Sequence, residues 1–357
     1  MEARIASSYH MRGLTGSIVA VVVTLGVATA ADAHHSRAPF DLDKRIEIDG
    51  TITDVAWRSP HVYIEATVRN DAGVAATWTL EGHSIPGFLR LGWQRETVQV
   101  GDHVAIVAHP SRTGNQNFAM LYSITRDDGS TYYAYQIPEG KSVPGLPSRG
   151  PVAPSTDFSG TWRHMIPVLE AAIGSFRPPT DWPLTAKGRA QVDAWNLNDD
   201  PELDCVPLGV PRLILATYSH AWRREAAQIV IVKERSRQTR DIHLDGAPRP
   251  ASFTPNELGY SVGRFEVDGS LVVETLGFAP TRWGNARGLD SSAAKRVLER
   301  YRLADDGLRM SVSYTIEDPE FLTAPVTVQG EYQKGPDYEF VNEVCDRDTA
   351  RRHLQFQ

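Results

Sequence analysis

Two histidines, His34 and His35, follow Ala31-Asp32-Ala33, whose small residues have the spacing of an export-signal cleavage site. Cleavage after Ala33 would leave the amine of His34 beside two imidazoles. A terminal amine, a His34 ring nitrogen and a second imidazole make a three-nitrogen set that suits Cu(II), which tops the affinity order for divalent ions and favours tetragonal nitrogen ligation. His61, in a strand-like stretch downstream, is the further candidate ligand. His34, His35 and His61 are therefore the expected metal ligands, with copper the expected ion if one is held. Zinc could use the same donors, but no cysteine cluster or His-Glu-x-x-His run supports it. The competing reading is an incidental chelating pair at a flexible terminus.

A second group lies far along the chain. His243 and Asp318 are the candidate catalytic residues, an acid/base couple able to work near neutral pH. Arg240, Glu299 and Arg300, with Trp162 and Trp283, are the candidate ligand-binding residues, and Asp245 lies beside them in the sequence. Charge carried into an interior needs pairing or a ligand. Arg240 with Glu299 thus also reads as a structural ion pair, and Trp162, Trp222 and Trp283 also read as plain core. The sequence has no Gly-x-Gly-x-x-Gly turn, phosphate-binding loop or nucleophile elbow, so neither a nucleotide nor a redox cofactor is implied. Cys205 and Cys345 are the two cysteines, and in an oxidising compartment they are expected to pair.

The chain that must position these residues has 357 of them, enough for two domains. Hydrophobic residues at 41% and charged residues at 23% are ordinary globular values. A net charge of -7 leaves no basic footprint for nucleic acid. Arg4, His10 and Arg12 precede an apolar run from Ser17 to Ala30, which is short for a membrane span. Residues 1–33 are accordingly expected to be a removed signal, with no membrane span after cleavage, and the mature protein is expected in a periplasm or outside the cell.

Alternating apolar positions predict strands at Arg45–Val55, His61–Val68, Ala76–Glu81, Val104–His109 and Ala119–Ile124, with a turn at Asn70-Asp71-Ala72-Gly73. Ser84 caps a short helix over Ile85–Leu91. Five strands and one helix predict a small antiparallel barrel of OB type over residues 34–137. Residues 138–156 are rich in proline and glycine and read as a linker. Beyond it, hairpins are expected at Ala226–Lys233 with Thr239–Leu244, Tyr260–Val267 with Ser270–Leu276, and Lys295–Leu303 with Leu308–Ile316. Thr185 is expected to cap a helix reaching Trp195, and Val326–Gln333 with Tyr338–Glu343 would be the last strand pair. About eight strands predict a second antiparallel barrel over residues 157–357, so the fold class is all-β with two barrels.

Three resemblances add to this. His34-His35-Ser36, Phe40-Asp41, Gly50-Thr51-Ile52, Trp57, Pro60-His61, Leu89-Arg90-Leu91-Gly92-Trp93 and Val100-Gly101-Asp102 resemble an uncharacterised family of small exported bacterial proteins. That family carries an Asn-Pro-His segment where this chain has Ser59-Pro60-His61, and the resemblance covers Ala33 to Tyr135. It implies architecture and suspect residues, and no activity. Asp157-Phe158-Ser159-Gly160-Thr161-Trp162 resembles the lipocalin and wider calycin signature, in which the tryptophan plugs the closed end of a barrel. Cys205-x-Pro207-x-Gly209-x-Pro211-Arg212 and Arg240-Asp241-Ile242-His243-Leu244-Asp245-Gly246 resemble segments of other uncharacterised exported proteins.

The function expected from these features is binding of a small apolar or amphipathic molecule in the second barrel, as a carrier, a sensor or a cofactor-independent lyase, isomerase or hydrolase. A copper-handling protein is the alternative from another class. A third is an accessory module that docks a protein partner without a pocket.

Overall fold

The computed structural model describes residues 39–69, 72–114, 117–146, 152–164, 178–214, 216, 218–234, 238–246, 248–336, 340–341 and 344–356. The expected signal, His34, His35 and the Asn70-Asp71 half of the expected turn lie outside the described residues.

The first barrel is built from β1 (Ile46–Ala56), β2 (Tyr63–Arg69), β3 (Ala75–Glu81), β4 (His103–Pro110) and β5 (Phe118–Arg126), with β6 (Thr131–Tyr133) added to β5. β1 lies between β2 and β4, and a parallel pairing of β3 with β5 closes the ring. This is the order expected of an OB-type barrel. β1 pairs on both sides because it is long and bends at a register shift between Ile52 and Asp54. Along β4, Val104, Ile106 and Ala108 point inward while His103 and Ala105 face out, the period of two that the sequence showed. α1 (Ile85–Arg90) starts where the Ser84 hydroxyl accepts from the Gly87 N–H at 3.3 Å. It carries Phe88 onto Trp93, whose rings stack at 4.3 Å and 16°. A Cβ on Gly82 would meet that Phe88 ring at 2.5 Å, so glycine there lets the helix seat.

The second barrel has nine strands: β7 (Gly160–His164), β8 (His220–Arg224), β9 (Gln228–Lys233), β10 (Thr239–His243), β11 (Tyr260–Phe265), β12 (Leu271–Leu276), β15 (Arg296–Leu303), β16 (Arg309–Glu317) and β17 (Val326–Lys334). The short hairpin β13 (Thr281–Ala286) with β14 (Leu289–Ser291) stands apart from the ring. The expected hairpins form, turning at Gly269 and Gly307 with φ of 79° and 64°. Two features differ from the sequence expectation. Phe340 and Val341, in the expected final strand, are outside any strand, and β17 pairs instead with β7 to close the ring. β10 also runs parallel to β11, which a simple up-and-down calycin meander does not contain. α2 (Ala186–Asp193) is capped by Thr185 as expected.

The two barrels share one body, Asp32–Gln357. The Cys205–Cys345 disulfide forms, with Cα atoms 5.7 Å apart. The chain after Cys345 then lies on the first barrel. Ser59 bridges to Cys345, and the Asp346 N–H donates to the Ser59 carbonyl at 3.0 Å. Arg58 reaches Asp346 at 2.9 Å, and α3 (Arg347–Arg351) sends Arg351 back to Asp204 at 2.8 Å. Phe356 stacks on Phe118 at 4.2 Å. Arg90 of α1 also pairs directly with buried Glu234 after β9, at 2.6 Å. The C-terminal tail is thus a strap fastened to one barrel by a disulfide and to the other by stacking and ion pairs. Among the described residues no helix is long and apolar enough to cross a membrane.

Candidate functional site

The interior of the nine-stranded barrel is a packed core with a polar centre. Alternation along β15 turns Val297, Glu299 and Tyr301 inward, and β10 contributes Arg240 and Ile242. Arg240 and Glu299 meet in a two-pronged ion pair, the first prong at 2.8 Å from Nη1 to Oε2. Arg240 also donates to Ser261 Oγ at 3.0 Å and Thr275 Oγ1 at 2.9 Å, and the Tyr301 hydroxyl donates to Glu299 at 2.6 Å. Burial opposes the Arg240 charge, yet the Glu299 carboxylate outweighs it and holds the guanidinium above its ordinary value. Burial first and the Glu299 charge second push Tyr301 and Tyr332 well up, so both stay protonated donors. Around this centre Trp162, Trp222, Ile229, Ile231, Val273, Val312 and Tyr332 pack as one cluster. Every prong of the pair is met within the barrel, so the pair is a structural one that spans the core.

The open chemistry lies at one end of that core. Lys233, the last residue of β9, follows Ile229 and Ile231 on the inward phase and is 3% exposed. Its Nζ is fully buried and has no hydrogen-bond partner among the described residues. Burial, with the Arg240 charge adding to it, lowers the amine to about 7. Directly across β8 stands His220, fully buried and pushed well below its ordinary value by burial and then by Lys233 and His164. Trp222 Nε1, a donor only, hydrogen-bonds His220 Nδ1, which places the neutral ring's proton on Nε2. That Nε2 is likewise buried without a partner. Two neighbouring donors, on adjacent strands, are thus buried and unmet among the described residues.

Lys233 is among the residues that line a small crevice open to solvent, at the end of the barrel where β9 stops. Val206, Leu208 and Leu213 give it an apolar wall, with Tyr218 and the Cys205–Cys345 disulfide beside them. The wall is held by the segment after α2, where Arg212 and Arg287 are buried against Asp200 and Glu202, with Arg287 to Asp200 at 3.1 Å. Lys295 is the second buried lysine and is also lowered to about 7, chiefly by burial. Its amine, however, donates to Val210 O at 2.7 Å, Gly284 O at 3.2 Å and Ser291 Oγ at 3.1 Å, and lies 4.0 Å over the Phe278 ring. It pins the chain at Val210 to the β13–β14 hairpin.

The structure brings together only part of the set expected from sequence. Trp162 and the Arg240–Glu299 pair share the barrel core. Arg300, next to Glu299 in a strand, faces out and pairs with Asp268 at 2.9 Å. Trp283 sits on the β13–β14 hairpin with φ of 53°, flanked by the guanidinium groups of Arg212 and Arg282. His243 is on the outward phase of β10, stacked on Tyr260 at 4.5 Å. Asp318 is 1% exposed, and its carboxylate accepts from Asn285 Nδ2 at 2.8 Å and from the N–H and hydroxyl of Ser292 at 2.8 and 2.7 Å. His243 and Asp318 therefore occupy separate settings, and Asp318 caps a loop. The crevice is lined by none of Trp162, Trp283 or His243. The residue that sequence reasoning passed over is Lys233, although the alternation Ile229, Ile231, Lys233 already carried the signal.

In the first barrel, His61 Nδ1 meets Glu81 at 2.7 Å, and Tyr63 donates to the same carboxylate at 3.3 Å. Among the described residues no group of three or more His, Cys, Asp or Glu is placed to hold a metal ion. The expected copper ligands His34 and His35 lie outside the described residues.

Residues 21–119 match the model of a family of unknown function (DUF6152). The match holds β1 to β4, His61 and Glu81, and stops at the start of β5. No curated protein matches the chain.

Proposed function

We propose that this is an exported protein that binds a small amphipathic molecule at the mouth of its nine-stranded barrel, as a carrier or sensor. The observation that carries this reading is Lys233, whose buried amine lacks a hydrogen-bond partner among the described residues and which is itself part of the lining of a crevice with an apolar wall. A buried polar group left unmet costs free energy, and a ligand that meets it recovers that cost on binding. An acidic or carbonyl head on Lys233, with an apolar body along Val206, Leu208 and Leu213, satisfies both halves of the site. The disulfide that forms part of the lining fits an oxidising compartment, in line with the export signal read from the sequence.

Calorimetric titration with octanoate tests this. The mature protein is expected to bind it, and Lys233→Met to bind roughly tenfold or more weakly, about 1.4 kcal/mol or above. Because a carboxylate favours the protonated amine, and the free amine sits near 7, affinity should hold below that pH and fall as pH rises above it. Equal affinity in protein and variant, or no pH dependence between 6 and 9, would remove Lys233 as the anchor.

A further inference from the structure

Resting on the reading of the crevice as a binding site, we infer that its ligand is an aldehyde or ketone, which Lys233 holds covalently as an imine. Three observations converge on this class. The Lys233 amine has no hydrogen-bond partner among the described residues. Lys233 lines a solvent-open crevice with Val206, Leu208 and Leu213, which suits the apolar remainder of a small carbonyl compound. Among the described residues no carboxylate pairs with it: Glu202, the acid in that lining, is engaged by Arg212 at 3.3 Å. Burial, and then the Arg240 charge, lower the Lys233 amine to about 7, so a large share of it is in the neutral, nucleophilic form near that pH.

The contrast with Lys295 sharpens the assignment. Both lysines are buried, but Lys295 spends its amine on three acceptors and an aromatic face. Lys233 spends its amine on none. The fold therefore uses one buried lysine as a pin and leaves the other available for reaction.

The step balances without any other reagent. The Lys233 Nζ lone pair forms a bond to the carbonyl carbon while the C=O π pair moves to oxygen. Both amine protons then leave with that oxygen as water, and the nitrogen ends in a C=N bond. Water enters and leaves through the open side of the crevice. His220, opposite Lys233 on the same inner face, is a positioning residue whose neutral ring keeps a second positive charge away from the amine.

The test is borohydride trapping of the mature protein equilibrated with hexanal near pH 7, read by peptide mass mapping. Lys233 is expected to carry the reduced adduct roughly tenfold or more above exposed Lys44 and Lys187, whose amines are paired with the carboxylates of Asp41 and Glu320. Lys295 should stay unmodified, which separates availability from a lowered basicity alone. Modification spread over exposed lysines, with Lys233 no higher, overturns the inference. The map uses the unaltered protein, so it does not depend on a variant folding. Octanoate binding without trapped hexanal would discard the imine and leave the binding site standing. Failure of both would discard the two together.

Discussion

Glu299→Gln is expected to lower the unfolding free energy by about 3–5 kcal/mol, the usual cost of removing one partner from a buried ion pair. Gln keeps the shape of the side chain and leaves the Arg240 guanidinium, 4% exposed, without a counter-charge in the middle of the barrel. Arg240 cannot shed its proton to escape, because a guanidinium stays charged in proteins. Tyr301 would also exchange a carboxylate acceptor for an amide. Guanidinium denaturation followed by tryptophan fluorescence measures the effect, and a change within about 1 kcal/mol would show that the pair is not desolvated as described. A companion variant, Arg240→Met with Glu299→Leu, removes both charges and is expected to regain most of the loss, since apolar replacement of a buried pair is often neutral. Recovery in the double variant distinguishes an uncompensated charge from simple disruption of packing.

Removing the disulfide is the second large effect expected. Cys205→Ser with Cys345→Ser opens a loop whose ends are 140 residues apart, and the chain-entropy model puts that at about 4–5 kcal/mol. The consequence reaches beyond the second barrel. Cys345 anchors the strap whose Asp346, Arg352 and Phe356 rest on Arg58, Glu65 and Phe118 of the first barrel. Without the bond these surface pairs hold the tail alone, and exposed ion pairs contribute little each. The variant should therefore unfold at lower temperature, and trypsin should cut first at Arg347, Arg351 or Arg352. An unchanged midpoint with a protected tail would show that stacking and ion pairs suffice to hold the strap.

Local features were the most legible in the sequence. The Ser84 and Thr185 caps, the Asp-Gly turns and the inward phase of β4, β15 and β16 all follow from chemistry within a few residues. The same local logic required Arg240 and Glu299 to meet a partner or a ligand, and they meet each other. What stayed hidden depends on contacts distant along the chain. Residues 200–213, which supply the apolar wall of the crevice, are joined to residues 281–295 by Arg287 to Asp200 and by Lys295 to Val210. The strap couples Arg58 to Asp346 across 288 positions. No periodicity announces such pairings. His243 lies on the outward phase of β10 for a simpler reason: in a strand it must face opposite to Ile242, and Ile242 is the one inside. The same rule, applied to β9, turns Lys233 inward and would have found the site.

If the Lys233 crevice holds a ligand, as proposed, that ligand should travel with the protein. Native mass spectrometry of the protein isolated from the cells that make it, beside Lys233→Met prepared in the same way, is the test. One small molecule per chain is expected on the unaltered protein and is expected to be lost from the variant. The same bound mass on both proteins, or none on either, would contradict it.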